Sequence, residues 1–76
     1  MAKRPPITNR VKELRAAHGE MSQAALAEAI GVTRQTVIAI EQGRYSPSLE
    51  SAFRISRVFE VGLEDVFGWE EDSPSA

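Results

Sequence analysis

Ser22-Gln-Ala-Ala-Leu-Ala-Glu-Ala-Ile-Gly-Val-Thr-Arg-Gln-Thr-Val-Ile-Ala-Ile-Glu-Gln42 decides the reading of this chain. Two short amphipathic runs meet at Gly31. In the first, Ser22 is an N-cap residue, and Leu26, Ala27 and Ile30 recur at helical spacing to line an inner side. Gly31 stands where a left-handed residue closes a helix, and Thr33 is placed to cap the next one. That next helix is expected from about Arg34 to Gln42. At 100° per residue, Thr33, Thr36, Val37 and Ile40 gather on a packing face. Arg34, Gln35, Ile38, Ala39 and Gln42 gather opposite, facing solvent or a ligand. Gly43 stops the run.

Outward from this pair, the sequence predicts three more helices. The first begins after Thr8 or Asn9, both good caps, carries Val11, Leu14 and His18 on one face, and ends at Gly19. Glu20 and Met21 connect it to the second. After the loop Arg44–Ser48, Pro47 prepares a fourth helix near Ser48. Leu49, Ala52, Phe53, Ile55, Ser56 and Phe59 form its broad inner face, and Gly62 is expected to end it. A last short turn places Leu63, Val66 and Phe67 on the core. Residues 1–8 read as a flexible basic arm, 9–68 as the folded domain and 69–76 as an acidic tail. No strand pattern, internal repeat or catalytic constellation is visible. The expected class is all-α, with five helices.

Seventy-six residues allow one domain, and a core of this size is marginal alone. There is no cysteine, so neither a disulfide nor a Cys-based metal site is available, which fits a cytoplasmic location. No apolar run is long enough for a membrane span, and no secretory signal opens the chain. A single histidine leaves no metal-spaced partner, and neither metal nor cofactor is expected. Net charge is −2, but its distribution is uneven. Residues 1–44 hold seven Lys/Arg against four Glu, a net of +3, while residues 45–76 hold two Arg against seven acids, a net of −5. One end is thus suited to meet phosphates that the other repels.

Leu14, Ser22-Gln23, Leu26-Ala27, Ile30-Gly31-Val32, Val37, Ile40-Glu41, Gly43 and Pro47-Ser48-Leu49 agree in order and spacing with one family. Over roughly Asn9 to Phe67 the chain resembles the Cro/repressor helix-turn-helix family, also called the xenobiotic-response-element type, in a compact single-domain branch. The Glu20-Met21 connector is one residue longer than in many relatives. The resemblance implies a sequence-specific DNA-binding transcriptional regulator. It would be a homodimer that represses by occupying a pseudo-palindromic operator, with no small-molecule effector evident.

By that resemblance, Arg34 and Gln35 are base readers, Arg toward guanine and Gln toward adenine, while Ala39 and Ile38 suit a thymine methyl. Gln23, Thr33, Arg44 and Tyr45 are the phosphate contacts, with Gln23 also bracing the start of the third helix. Lys3 and Arg4 would extend as an arm along the DNA. Glu41 is a structural acceptor, with Arg15 or Arg44 as its partner. Phe67 and Trp69 cover the base of the core or form a dimer contact. Two other readings stand beside this one. One is a controller or antitoxin-type regulator of a restriction–modification or toxin–antitoxin locus. The other is a protein-interaction module of the same fold, for which an apolar patch around Ile38 would speak.

Overall fold

The computed structural model describes residues 6–70. Five helices follow one another: α1 (Val11–Ala17), α2 (Gln23–Ile30), α3 (Arg34–Glu41), α4 (Leu49–Phe59) and α5 (Leu63–Val66). Two three-residue strands, β1 (Ile7–Asn9) and β2 (Phe67–Trp69), bracket them. The strands pair antiparallel, with Ile7 opposite Trp69, Thr8 opposite Gly68 and Asn9 opposite Phe67. Backbone bonds from Arg10 to Val66 (2.8 Å) and from Glu70 to Pro6 (2.6 Å) continue the pairing at both ends.

The all-α expectation is therefore corrected: the fold is five helices plus a small sheet. Three residues are too few to show a period of two, and the partner strands lie some sixty positions apart. Local pattern carries no trace of such a pairing.

The predicted caps on α2 and α3 form, and Ser48 caps α4 in the same way. Ser22 Oγ accepts from the amide of Ala25 at 3.0 Å, Thr33 Oγ1 from Thr36 at 3.2 Å, and Ser48 Oγ from Ser51 at 3.1 Å. At α1 the work falls to Asn9 alone. Its Oδ1 accepts from Val11 N at 3.1 Å, and its Nδ2 donates to Ile40 O at 2.8 Å, tying the first helix to the end of α3. Thr8, the other candidate cap, is held in β1.

Helices α2, α3 and α4 end by one device, in which two amides past the helix reach back to its last carbonyls. Gly31 and Gly43 take the left-handed conformation at the first two (φ 78° and 75°). At α4 it is Glu60 that does so, at φ 58°. Gly62, expected to end α4, is instead the extended residue before α5 (φ −77°), where Asp65 Oδ2 accepts its N–H at 2.9 Å.

Val11, Leu26, Ala27, Ile30, Val37, Ile40, Ile55, Phe59 and Val66 form one buried cluster. Leu14, Met21, Val32, Val58, Val61 and Phe67 pack against it. His18 lies edge-on to Phe59, ring centroids 5.3 Å apart. Two residues assigned to the inner face of α4 are not there: Leu49 is 68% exposed and Phe53 50%. The helix meets its neighbours over a narrower arc, centred on Ala52, Ile55, Ser56 and Phe59. Trp69 does not cover the core either, being 66% exposed, whereas the half-buried Phe67 does.

Candidate nucleic-acid interface

The turn between α2 and α3 sets the pose of everything at this surface. Gly31 N–H bonds Glu28 O at 3.3 Å and Val32 N–H bonds Ala27 O at 3.0 Å, so the chain reverses within three residues. A Cβ on Gly31 would require a strained backbone there and would stand 3.3 Å from Arg54 Nη1. Arg54 in turn donates to Ile30 O at 3.4 Å and anchors the turn to α4. With Val37 and Ile40 buried on one side of α3, the opposite side is necessarily outward.

The other end of α3 is held by charge. Arg15 of α1 grips Glu41 through Nε to Oε2 (2.6 Å) and Nη2 to Oε1 (3.0 Å), and its third nitrogen donates to Met21 O at 2.8 Å. The side chains of the pair are only 14% and 6% exposed. Gln23 Nε2 adds a bond to Glu41 Oε1 at 3.1 Å. One carboxylate thus binds α1, the start of α2 and the end of α3 together. Of the two bases considered for Glu41, the structure selects Arg15. Gln23 braces the end of α3 and not its start.

On the outward side, Arg34 and Gln35 are exposed in the first turn of α3, while Ile38 and Ala39 are half-buried in the second. Ile38 lies in a shallow depression of about 210 Å³ with Lys12, Arg15, Gln23, Glu41 and Gln42, so its surroundings are polar. Thr33 is exposed, and its Oγ1 also sits 3.1 Å from Thr36 Oγ1. The first amides of α3 have no acceptor within the helix, as at any helix start, and are available to an anion. Past the helix, Arg44 N–H closes back on Ala39 O at 3.0 Å, leaving its side chain and that of Tyr45 (50% exposed) outward.

The charges complete the picture. Arg10, Arg15 and Arg54 are each paired with a carboxylate. No such pair forms among the described residues at Lys12, Arg34 and Arg44, within the first 44 residues, or at Arg57 on α4. Lys12 was not singled out from the sequence. Its place beside Ile38 and Gln42 depends on how α1 lies against α3, which single-helix periodicity does not encode. Lys3 and Arg4 fall outside the described residues. Among the described residues no group of three or more acidic or histidine side chains is placed to hold a metal ion, and no helix is long and apolar enough to cross a membrane.

Comparison with known proteins agrees with this geometry. The helix-turn-helix family profile matches residues 11–66. An uncharacterised HTH-type transcriptional regulator of Methanocaldococcus jannaschii is 50% identical over 66 residues, spanning 87% of this chain and 98% of that protein. The uncharacterised HTH-type transcriptional regulator YgzD of Bacillus subtilis is 55% identical over 67 residues, 88% of this chain and 100% of its own. Among solved structures, a candidate DNA-binding protein of Bacteroides fragilis superposes with a TM-score of 0.70 at 21% identity, covering 82% of this chain and 98% of that one. A transcriptional regulator of Listeria innocua gives 0.67 at 17% identity, covering 91% and 67%. At those identities the two structures speak for the fold alone.

Proposed function

The chain belongs to the Cro/repressor-type helix-turn-helix family, and from that premise we propose that it is a sequence-specific DNA-binding regulator of transcription, acting as a repressor through operator occupancy. The observation that carries this reading is the state of α3. Its inner face and both ends are locked, while Arg34 and Gln35 stand free in its first turn. A rigid helix with exposed hydrogen-bonding side chains at its N-terminal end is what major-groove reading requires.

In this reading Arg34 takes guanine O6 and N7, Gln35 takes adenine N6 and N7, and Ala39 and Ile38 meet thymine methyls. Thr33, Gln23, Arg44 and Tyr45 hold phosphates and fix the register, with Lys12 beside them. Gln23 Nε2 keeps one hydrogen for a phosphate after bonding Glu41. A homodimer sets two such helices in successive major grooves, roughly 34–36 Å apart, over a pseudo-palindromic site. Bound there, it excludes polymerase. The polar surroundings of Ile38 give no apolar patch to favour the protein-interaction alternative.

The test is selection of binding sites from random duplex DNA, followed by salt titration on the winner. The expected result is an inverted repeat with half-sites about one turn apart, bound with an affinity that falls steeply with salt. Gln35→Ala should then lose roughly 1–3 kcal/mol of discrimination at one base pair. Arg44→Ala should weaken all duplexes alike and lower the salt slope by about one. No enriched sequence, or equal losses on operator and random DNA for Gln35→Ala, would remove the base-reading assignment.

A further inference from the structure

A hollow of about 200 Å³ lies at the C-terminal end of α3, between Glu41, Gln42 and Gly43 on one side and Thr8, Asn9 and Glu70 on the other. Two features make it favourable to a cation. The negative end of the α3 dipole is close, because the helix stops at Glu41. Glu41 itself is spent on Arg15 and Gln23, but the exposed Glu70 forms no ion pair among the described residues. The position of the hollow matters as well. Gln42 also borders the depression around Lys12 and Ile38, and Gly43 immediately precedes Arg44. The hollow therefore opens beside the residues assigned to phosphate.

We infer that this hollow is the docking site of the chain's own basic arm, the Arg4 guanidinium meeting the Glu70 carboxylate. Three observations favour that occupant. The first is position. Glu70 N–H donates to Pro6 O at 2.6 Å, so the arm joins the described fold directly opposite Glu70. The register that sets Ile7 opposite Trp69 and Thr8 opposite Gly68 puts Thr8, Pro6 and Glu70 on one side of the strand pair. Continued by two residues, the same alternation brings Arg4 to that side, diagonal to Glu70 and within reach of a long side chain. The second is charge. The chain has nine Lys and Arg; seven lie on described residues and leave Glu70 unpaired, and Lys3 and Arg4 are the other two. A guanidinium suits the site better than an ammonium, because its planar fork serves a carboxylate and backbone carbonyls together. The third is entropy. Pro5 and Pro6 join Arg4 to β1 with φ fixed at both, so docking costs little conformational freedom. The consequence rests on the DNA-binding reading above. A docked arm carries Lys3 to the phosphate side of α3, next to Arg44. Glu70 is then a positioning residue, an acid at the DNA surface that strengthens binding by holding a cation in place.

The sign of one effect tests this. Removing an acid beside DNA raises affinity by simple electrostatics, whereas here Glu70→Gln should lower it. On operator DNA at about 0.1 M salt the expected loss is about fivefold to tenfold, with a salt slope smaller by about one. Equal or tighter binding by Glu70→Gln overturns the inference. Docking itself is read on the full chain without DNA, by NMR nitrogen relaxation at the Arg4 amide and Nε. The amide order parameter should exceed about 0.8 in the wild type and fall below about 0.6 in Glu70→Gln. The charge swap, Arg4→Glu with Glu70→Arg, should restore the order that either change alone removes. An Arg4 equally loose in wild type and Glu70→Gln overturns the inference, as does a charge swap that fails to restore order. The two measurements keep the readings apart. If the wild type selects no DNA sequence, the DNA reading fails and the docking is still judged by relaxation. If it selects one and Arg4 is loose, the docking fails and the DNA reading stands.

Discussion

Leu26 and Leu49 are the same side chain in two different regions, and the contrast between those regions organises the molecule. Around Leu26, the α1–α2–α3 unit is closed: the leucine is fully buried, the caps are made, and Glu41 is satisfied from three directions. Around Leu49, the α4–α5–β2 side leaves large apolar groups in water and a cleft unfilled. Closure in one region holds α3 in a single pose for a polar, charged ligand. Openness in the other leaves apolar surface that lowers solubility and contributes nothing to the isolated fold. The lesson is that exposure of a hydrophobic residue has to be read with its neighbours: an isolated Tyr45 needs no account, whereas Leu49 and Trp69, lining two clefts that share Ile7, Leu63 and Phe67, do.

The largest effect should come from that pair of leucines themselves. Leu26→Ala is expected to cost about 3–4 kcal/mol in urea unfolding, through lost transfer free energy and the cavity left behind. Leu49→Ala, measured at a concentration where the chain is monomeric, should change stability by less than about 0.5 kcal/mol. Comparable losses would mean that the two regions do not differ as described. Arg15→Ala comes next, at about 3 kcal/mol, since it leaves a nearly buried Glu41 carboxylate with only Gln23 as partner. Added salt should rescue little of that loss because the pair is shielded from solvent. A loss under about 1 kcal/mol would show that water reaches Glu41 readily. The smallest effect has the opposite sign. Glu60 occupies a left-handed position that Gly31 and Gly43 fill at the equivalent helix ends. Glu60→Gly should therefore stabilise by up to about 1 kcal/mol, read as a raised thermal midpoint. A lowered midpoint would mean that the Glu60 side chain contributes more than its backbone conformation costs.

The closed region was the legible one. The capping of α2 and α3, the turn at Gly31 and the inner sets Leu26–Ala27–Ile30 and Val37–Ile40 follow from residue type and spacing, and all of them form. The outward face of α3 follows with them, because a helix buried on one side exposes the other. The open region misled. The broad apolar arc of α4 reads as a wide core contact, yet only part of it is covered, for periodicity counts apolar residues and not the surfaces available to bury them. Gly62 drew the end of α4 away from Glu60 because glycine is the usual left-handed residue, and a glutamate in that role has no sequence signature. Lys12 entered the interface only when α1 was laid against α3.

The sequence by itself determined the five helices, the caps of α2 and α3 and which side of α3 would face outward, since these depend on contacts within one or two turns. It also determined that the cations concentrate in the first 44 residues. Tertiary structure alone decided the β1–β2 pairing, the choice of Arg15 for Glu41, the Asn9 bridge to Ile40 and the bare patch at Leu49, Phe53 and Trp69. Each of these joins, or fails to join, residues far apart in the chain. Whether such groups meet depends on how the helices pack, and no local pattern of residues encodes that.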